Sequence, residues 1–193
     1  MDTKKRCRWS EGVDEKYITY HDQEWGVPSF DDKTLFEFLI LEGAQAGLSW
    51  ATILQKREGY KENFMDFDVQ NVAKFTNATL DKILKDPSVV RNKLKIYSAK
   101  KNAIAFIKVQ KEFGSFASYL WGFVDNQHIV NTWRTHEEVP ASSPLSENIS
   151  KDLKSRGFTF IGPTIIYAYM QAIGMVNDHQ LDCFRYAQLE NNE

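Results

Sequence analysis

The sequence lacks the features that define several broad classes of protein. Only two of its 193 residues are cysteines, which excludes a disulfide-rich scaffold. No run of about 18 apolar residues occurs, so no segment of the sequence is expected to span a membrane. We find neither a secretory signal nor a lipidation motif, and we therefore expect a soluble, cytoplasmic protein that does not associate with membranes.

A strong charge of either sign is also missing. The 24 basic and 26 acidic residues leave a net charge of −2, which excludes the bulk basic character of many nucleic-acid-binding proteins. Basic side chains are nevertheless concentrated between Pro87 and Lys111, a stretch that contains no acidic residue. Such a stretch is either a solvated helix face or a strip that contacts phosphates, and composition leaves both interpretations open.

Aromatic residues are abundant, and the hydrophobic fraction of 42% is sufficient for one core. The length and the absence of repeats or a clear linker indicate a single unit, and apolar residues recur at helical spacing, which predicts the all-α class. A long amphipathic helix is expected at roughly Lys93–Phe113. The expected N-caps of other helices are Asp31 or Asp32, Ser49, Asp68 and Thr79. Ser146 is expected to begin a helix that runs to about Arg156, and Pro163 is expected to open a helix that runs to Gly174.

The two cysteines and two of the four histidines lie near the ends of the chain. Cys7 and His21 are in the first segment, and His179 and Cys183 are near the other end. Thiolates and imidazoles in this combination suit tetrahedral Zn²⁺, and the last two residues would share a helix face or a tight turn. Alternatively, the cysteines form a disulfide or His21 is an ordinary core histidine, and the spacing alone leaves these alternatives open.

A second group of residues combines aromatic rings with a carboxylate. Tyr17, Tyr20 and His21 would share one face of a helix. Glu42 follows an apolar run and is either a solvent-facing glutamate or a part-buried carboxylate that accepts a hydrogen bond or faces a cation. Aromatic side chains in this group form either a core or the walls of a pocket for a planar ligand; the others are Trp9, Trp25 and Trp50.

Five ordered blocks of sequence carry a family resemblance. They are Cys7-x-Trp9, Tyr17-x-x-Tyr20-His21-Asp22-x-Glu24-Trp25-Gly26-x-Pro28, Leu41-Glu42-Gly43-x-Gln45-Ala46-Gly47-Leu48-Ser49-Trp50, Arg156-Gly157-Phe158-x-Phe160-x-Gly162 and Met170-Gln171-Ala172-x-Gly174-x-Val176-Asn177-Asp178-His179. They span about Cys7 to Cys183 and strongly resemble the 3-methyladenine DNA glycosylase I family. These constitutive bacterial enzymes remove methylated adenine from DNA.

The resemblance implies a helix-hairpin-helix DNA glycosylase fold. The helix-hairpin-helix lobe would comprise approximately residues 30–125, and residues 1–29 plus 126–193 would form a small zinc-containing lobe. One structural Zn²⁺ per chain is implied, held by Cys7, His21, His179 and Cys183. The basic stretch from Asp86 to Lys101 would then correspond to the DNA-binding hairpin.

The implied function is the flipping and hydrolytic excision of N3-methyladenine from alkylated double-stranded DNA. A monofunctional, monomeric enzyme would release free 3-methyladenine and thereby start base excision repair. The resemblance places Glu42, Tyr20 and Trp50 at the catalytic position and Tyr17, Trp9, Trp25 and Gln45 around the base. The expected DNA contacts are Gly47, Leu48, Arg91, Lys93 and Lys95, with Leu48 filling the space of the flipped nucleotide.

Two positions depart from the family pattern, and three other classes compete with the enzyme. Ser88 stands where many relatives have a hairpin glycine, and Ala44 stands where some have glutamine. The competing classes are a damage sensor that binds without cutting, a zinc hydrolase with an open metal, and a structural or interaction protein. Base release separates the enzyme from the sensor, and four protein ligands argue against an open catalytic zinc.

Overall fold

The computed structural model describes residues 4–190, which form ten α-helices, four short 3₁₀ turns and two very short strands. The helices are α1 (Glu15–Gln23), α2 (Asp32–Gln45), α3 (Trp50–Asn63), α4 (Val69–Ala73), α5 (Asn77–Ile83), α6 (Lys93–Phe113), α7 (Phe116–Trp121), α8 (Pro144–Ser155), α9 (Pro163–Ala172) and α10 (Phe184–Glu190). Strands β1 (Ile129–Val130) and β2 (Val176–Asn177) pair in parallel. The all-α class is confirmed, and no helix within residues 4–190 combines the length and apolarity needed to cross a membrane.

Helix α2 lies at the centre of the molecule. Asp31 caps its first turn by accepting a hydrogen bond from the backbone N–H of Thr34 at 2.9 Å. Between residues 35 and 44 every side chain except that of Glu37 is buried, because α3, α6, α7 and α9 all contact this helix. A helix enclosed in this way presents Glu42 to the interior of the protein instead of to bulk water.

Within residues 4–190, segments from near the two ends of the sequence lie against each other. The backbone N–H of Phe184 donates to the carbonyl of Lys5 at 2.9 Å, and the N–H of Arg8 donates to the Gln180 side chain at 2.8 Å. The N–H of Gly26 reaches the carbonyl of Gln171 at 3.0 Å. These bonds bring residues from both ends of the sequence to one side of α2.

Helices α5 and α6 are joined by a tight turn at residues 84–92, which we call the hairpin turn. Helix α3 supports it from behind, because Gly59 packs against Ser88. Hydrogen bonds from Ser88 to Asp86 stabilise the turn and lower the pKa of the Asp86 carboxyl to about 2. Ser88 is not among the residues with a positive φ, so the turn does not need the glycine that many relatives have there.

Most helix boundaries agree with the predictions, and two caps differ. Asp31, Ser49 and Asp68 are N-caps, and α6 has the predicted bounds. However, Thr76 caps α5 in place of Thr79, and Ser143 caps α8, which begins at Pro144 instead of Ser146. Residues 76–78 are exposed and give no hydrophobic signal for the start of α5. In α8 the backbone N–H of Ser146 donates to the side chain of Ser143, so the earlier serine is the cap.

The apolar pattern also failed at the start of α6 and in two short helices. Leu94 was expected on an apolar helix face, yet it is 71% exposed because the first turn of α6 extends beyond the core. Helices α7 and α10 were not predicted. They have six and seven residues, which is too short to show a helical period clearly.

Replacing Gly59 by Ala is expected to shift the hairpin turn and to lower the free energy of unfolding by about 1–3 kcal/mol. An added Cβ would lie 2.4 Å from Ser88 Cβ and 2.5 Å from the Ser88 carbonyl oxygen. Gly122→Ala is the matched control, because a Cβ there meets no atom within 4 Å. Denaturant unfolding measures both variants, and equal stabilities would contradict a steric constraint at Gly59.

Candidate active site and metal centre

The side chains predicted to surround a base meet at one cavity. It has a volume of about 170 Å³, and since one water needs only about 10–15 Å³ it has room for a larger ligand. The predicted residues that line it are Trp9, Tyr17, Tyr20, Trp25, Glu42, Gln45 and Trp50. They come from α1, from the end of α2, from the start of α3 and from the loops around α1.

Aromatic rings form much of the cavity wall. The rings of Tyr20 and Trp50 are 5.3 Å apart, and both residues are buried. Trp9 packs edge-on against Trp25 at 4.9 Å and against Tyr17 at 5.4 Å. Contacts of this kind hold each ring in place, so the wall is ordered before a ligand arrives.

Glu42 is the acidic group in this aromatic setting. It is 4% exposed, and burial raises the pKa of its carboxyl to about 8. The adjacent phenols respond to the same environment: burial, followed by repulsion from Glu42, raises the pKa of Tyr17 and of Tyr20. A neutral carboxyl is therefore favoured in the empty cavity at neutral pH, and a cationic ligand would favour the ionised form.

Trp50 contributes a second polar group with unused bonding capacity. Its Nε1–H is buried and has no hydrogen-bond acceptor among residues 4–190. Buried donors are normally satisfied, and an unpaired one costs about 1–3 kcal/mol. A ligand that offers an acceptor to Trp50 would remove this cost.

Asp178 is a second buried carboxylate in the cavity lining, and its hydrogen-bonding differs from that of Glu42. Its Oδ1 accepts from Asn131 Nδ2 at 2.7 Å and from Trp133 Nε1 at 2.8 Å. Its Oδ2 accepts from the Tyr167 hydroxyl at 2.7 Å and from Gln171 Nε2 at 2.8 Å. Four donors saturate this carboxylate, so it orients the wall and has no free lone pair directed at a ligand.

Six lining residues were not assigned to the cavity from the sequence. They are His136, Val139, Ala168, Gln171, Asp178 and Gln180. Two of them, Gln171 and Asp178, lie in the sequence block from Met170 to His179 that carries the family resemblance, and this block could have indicated that they line the cavity. His136 and Val139 lie in an irregular connection and reach the cavity only through tertiary folding, which no local pattern reveals.

The four expected metal-binding residues form one buried cluster. Their potential ligand atoms all lie within 4.8 Å of one another. The Sγ of Cys183 is 3.5 Å from both His21 Nε2 and His179 Nδ1, and the Sγ of Cys7 is 3.4 Å from His179 Nδ1. A tetrahedral zinc site with usual bond lengths has S···N separations of about 3.5 Å, so the cluster fits such an ion.

The histidine tautomers also suit a metal. His179 Nε2 lies 3.0 Å from the carbonyl of Trp25, and His21 Nδ1 lies 2.8 Å from the carboxylate of Asp22. Each imidazole can therefore donate its N–H to an oxygen and direct its other nitrogen at the cluster, as metal-binding histidines do. His179 and Cys183 lie in a tight turn before α10, which was one of the two predicted geometries.

The free thiols of Cys7 and Cys183 influence each other through their contact. Contact with Cys183 raises the pKa of the Cys7 thiol, whereas contact with Cys7 lowers that of Cys183. Without a cation, the pair thus favours a single thiolate. A divalent cation would stabilise both thiolates, which is the chemistry that this donor set offers.

The metal cluster lies directly behind the aromatic wall. The Trp25 ring is 4.6 Å from His179, and the Trp9 ring is 5.1 Å from His21. The backbone N–H of Gln180, a cavity residue, points at the Sγ of Cys7 at 3.4 Å. Any change in the cluster therefore changes the support of two cavity tryptophans.

The residues predicted to contact DNA lie outside the cavity. Leu48 is 41% exposed and follows Gly47, whose φ of +79° lets the chain turn sharply after α2. Arg91 and Lys93 are exposed on the hairpin turn and the start of α6. Lys95 is different, because its ammonium donates to the carbonyls of residues 44 and 46. A phosphate contact by Lys95 remains a prediction.

Comparison with known proteins places this arrangement in a family. The family model described as methyladenine glycosylase matches residues 9–186. This chain belongs to the methyladenine glycosylase family. DNA-3-methyladenine glycosylase of Haemophilus influenzae is 44% identical over 178 residues, which cover 92% of this chain and 96% of that protein.

Solved structures agree with the family assignment. A crystal structure of 3-methyladenine DNA glycosylase I has a TM-score of 0.90 at 43% identity, with 93% of this chain and 98% of that chain covered. A substituted 3-methyladenine DNA glycosylase I in complex with 3-methyladenine has a TM-score of 0.88 at 34% identity, covering 91% and 95% of the two chains. The methyladenine glycosylase fold thus extends over almost the whole chain.

The buried state of Glu42 predicts a pH-dependent stability. The folded protein retains the Glu42 proton up to pH about 8, whereas the unfolded chain releases it near 4.5. The retained proton therefore contributes to the free energy of unfolding by an amount on the order of a few kcal/mol. This contribution is fully present below pH 4.5 and is lost as the pH rises to about 8. Glu42→Gln, which resembles the neutral acid, should therefore become more stable than the wild type as the pH rises. Denaturant unfolding between pH 5 and pH 8 measures this, and a constant difference would contradict the raised pKa.

Proposed function

We propose that this protein flips N3-methyladenine out of alkylated double-stranded DNA and excises it by hydrolysis, the first step of base excision repair. One observation carries the proposal: Glu42 lies buried in an aromatic cavity, and the exposed Leu48 follows Gln45, another residue of the cavity lining, by three positions. The family assignment supports the same activity. Because DNA is the substrate, we propose a cytoplasmic enzyme, and we further propose that it acts as a monomer.

The chemistry of the substrate explains why one carboxyl group is enough. Methylation at N3 gives adenine a positive charge, so the electron pair of the breaking glycosidic bond neutralises the leaving base. Water then adds to the sugar cation at C1′ and releases a proton. Hydrolysis of ordinary glycosides needs two carboxyl groups because one must protonate a poor leaving group. Here Asp178 is saturated by four donors, which leaves Glu42 as the available group.

Selection of the damaged base rests on charge. A cationic ring against the faces of Tyr20 and Trp50 gains about 0.5–2 kcal/mol relative to a neutral ring. The same charge stabilises ionised Glu42, whose carboxylate accepts a hydrogen bond from the exocyclic amine. Tyr17, Trp9, Trp25 and Gln45 complete the enclosure of the base. Neutral adenine gains no binding free energy from these charge-dependent contacts, and its glycosidic bond is stronger.

The surface outside the cavity fits the extrusion of a nucleotide. Unstacking a base costs a few kcal/mol, and an apolar side chain that takes its place offsets part of this cost. Leu48 fulfils this role in our proposal. Helices α5 and α6 with the hairpin turn act as a helix-hairpin-helix element, in which Arg91, Lys93 and backbone N–H groups hold the phosphates.

We further propose that Zn²⁺ occupies the cluster of Cys7, His21, His179 and Cys183. When bound, zinc supplies a structural cross-link between the two ends of the chain. With four protein ligands it has no open position for water, so it takes no part in hydrolysis. Residues 1–29 and 126–193 then form a zinc lobe, and residues 30–125 form the helix-hairpin-helix lobe.

Glu42→Gln is expected to reduce the release of 3-methyladenine by about 100-fold or more, because the variant lacks the negative charge that the cationic base requires. The assay separates the free bases released from methylated duplex DNA by chromatography. Glu147→Gln, an exposed glutamate of α8, removes a similar charge and should leave activity unchanged. Wild-type turnover by Glu42→Gln would remove Glu42 from the mechanism. No release by folded, zinc-loaded wild type, combined with binding of methylated DNA, would support the damage-sensor alternative.

Purified protein is expected to contain one zinc per chain, and Cys183→Ala should lose it. Loss of the ion leaves the buried thiols and imidazoles without their common partner, so the melting temperature should fall by several degrees. Elemental analysis and calorimetry measure these effects. The tryptophan fluorescence should change as well, because Trp9 and Trp25 pack on the two imidazoles. A metal-free wild type with an unchanged melting temperature would exclude a structural metal.

A further inference from the structure

Lys95 makes contacts that differ from those of a lysine directed at DNA. Its Nζ donates to the carbonyl oxygen of Ala44 at 2.8 Å and to that of Ala46 at 2.5 Å. These carbonyls flank Gln45, which lines the cavity. Gly47 and Leu48 follow directly after Ala46. The ammonium therefore hydrogen-bonds the segment that connects the cavity to the proposed wedge.

The end of α2 needs such a partner. The last carbonyls of a helix have no intrahelical donor, and the helix dipole makes this end negative. Helix α2 has no basic residue in its own last turn. Its C-cap, Ala46, leaves the helical conformation with φ −42° and ψ 113°. Lys95 supplies from another helix both the donors and the positive charge that α2 lacks.

The backbone of Lys95 lies in the first turn of α6, directly after the hairpin turn. Its N–H donates to the side chain of Asn92, the N-cap of α6, at 3.2 Å. The exposed residues Arg91 and Lys93 lie on the same segment. One residue therefore joins the proposed phosphate-binding turn to the end of α2 through two sets of hydrogen bonds.

We propose that Lys95 is a positioning residue that holds residues 44–49 in register with the hairpin turn, so that phosphate binding and insertion of Leu48 occur together. This inference rests on the proposed function, because insertion of Leu48 is part of it. The competing interpretation is that Lys95 is simply another phosphate contact. The two carbonyls take two of the three N–H donors of the ammonium, so a phosphate could accept only from the third unless a carbonyl is released.

Hydrogen exchange of the DNA-free protein tests the link without any assay of activity. In Lys95→Met, amides within residues 45–49 should exchange about tenfold faster or more, because this segment has lost its hydrogen bonds to the ammonium. Lys95→Arg keeps a cationic donor and should restore part of the protection. Lys154→Met, which removes an exposed lysine of α8, should have no effect on these amides. Unchanged exchange in Lys95→Met would overturn the proposal.

Single-turnover kinetics separate positioning from phosphate binding. Lys95→Met should slow base release from methylated duplex DNA by about tenfold or more, since small displacements of reacting groups are costly. Its affinity for duplex DNA and the salt dependence of that affinity should stay close to those of the wild type. A phosphate contact would instead weaken binding and reduce the salt slope by about one.

A double-mutant cycle with Leu48→Ala completes the test. If Lys95 acts through the wedge, Lys95→Met should slow base release much less in the Leu48→Ala background than in the wild type. If the two substitutions instead reduce the rate independently, so that their fold-effects multiply, the proposal is overturned. If the wild type releases no 3-methyladenine, the proposed function fails. Hydrogen exchange of residues 45–49 still decides whether Lys95 stabilises that segment.

Discussion

The burial of α2 is the constraint on which the rest of the structure depends. Because neighbouring helices enclose it, its last turn can place a carboxyl group inside the protein, where water cannot stabilise the charge. Glu42 consequently keeps its proton to a pH of about 8. The chain reverses direction at Gly47 directly after this turn, so the next residue, Leu48, lies at the surface. One helix end therefore carries both the proposed catalytic carboxyl group and the proposed wedge.

The closure of the chain ends is the second requirement of the site. Four of the tyrosine and tryptophan rings in the wall come from residues 9–25, a segment too short to hold them in place on its own. Residues 179 and 180 support these rings from the other end of the sequence, because Gln180 accepts a hydrogen bond from the backbone N–H of Arg8 and the His179 ring contacts Trp25. Trp9 contacts His21 within its own segment. A structural ion at this position would therefore act on base recognition only through the rigidity of the wall.

Local signals in the sequence predicted many of the helix boundaries. The features that the sequence did not predict depend on contacts between residues that are far apart in the chain. The Asp31 and Ser49 caps and the bounds of α6 follow from side chains within one turn of each boundary. The aromatic residues and Glu42 were identified because their types are unusual for a core. The interactions of Lys95 with residues 44 and 46, about fifty positions away, follow only from the tertiary structure. The same applies to the four donors of Asp178 and to His136 in the cavity wall.

The cost of burying Glu42 also explains how an enzyme of this type can spare normal DNA. Burial raises the pKa of the Glu42 carboxyl to about 8, which favours its neutral form at neutral pH, and neutral adenine provides no charge that would change this preference. In the mechanism that we propose, a cationic base would lower the pKa of Glu42 and form an ion pair with it in a region of low polarity, where Coulomb interactions are strong. The attractive charge thus forms only in response to the damaged base. Discrimination then arises from the burial that makes the empty site unfavourable for an anion, and no direct repulsion of undamaged adenine is required.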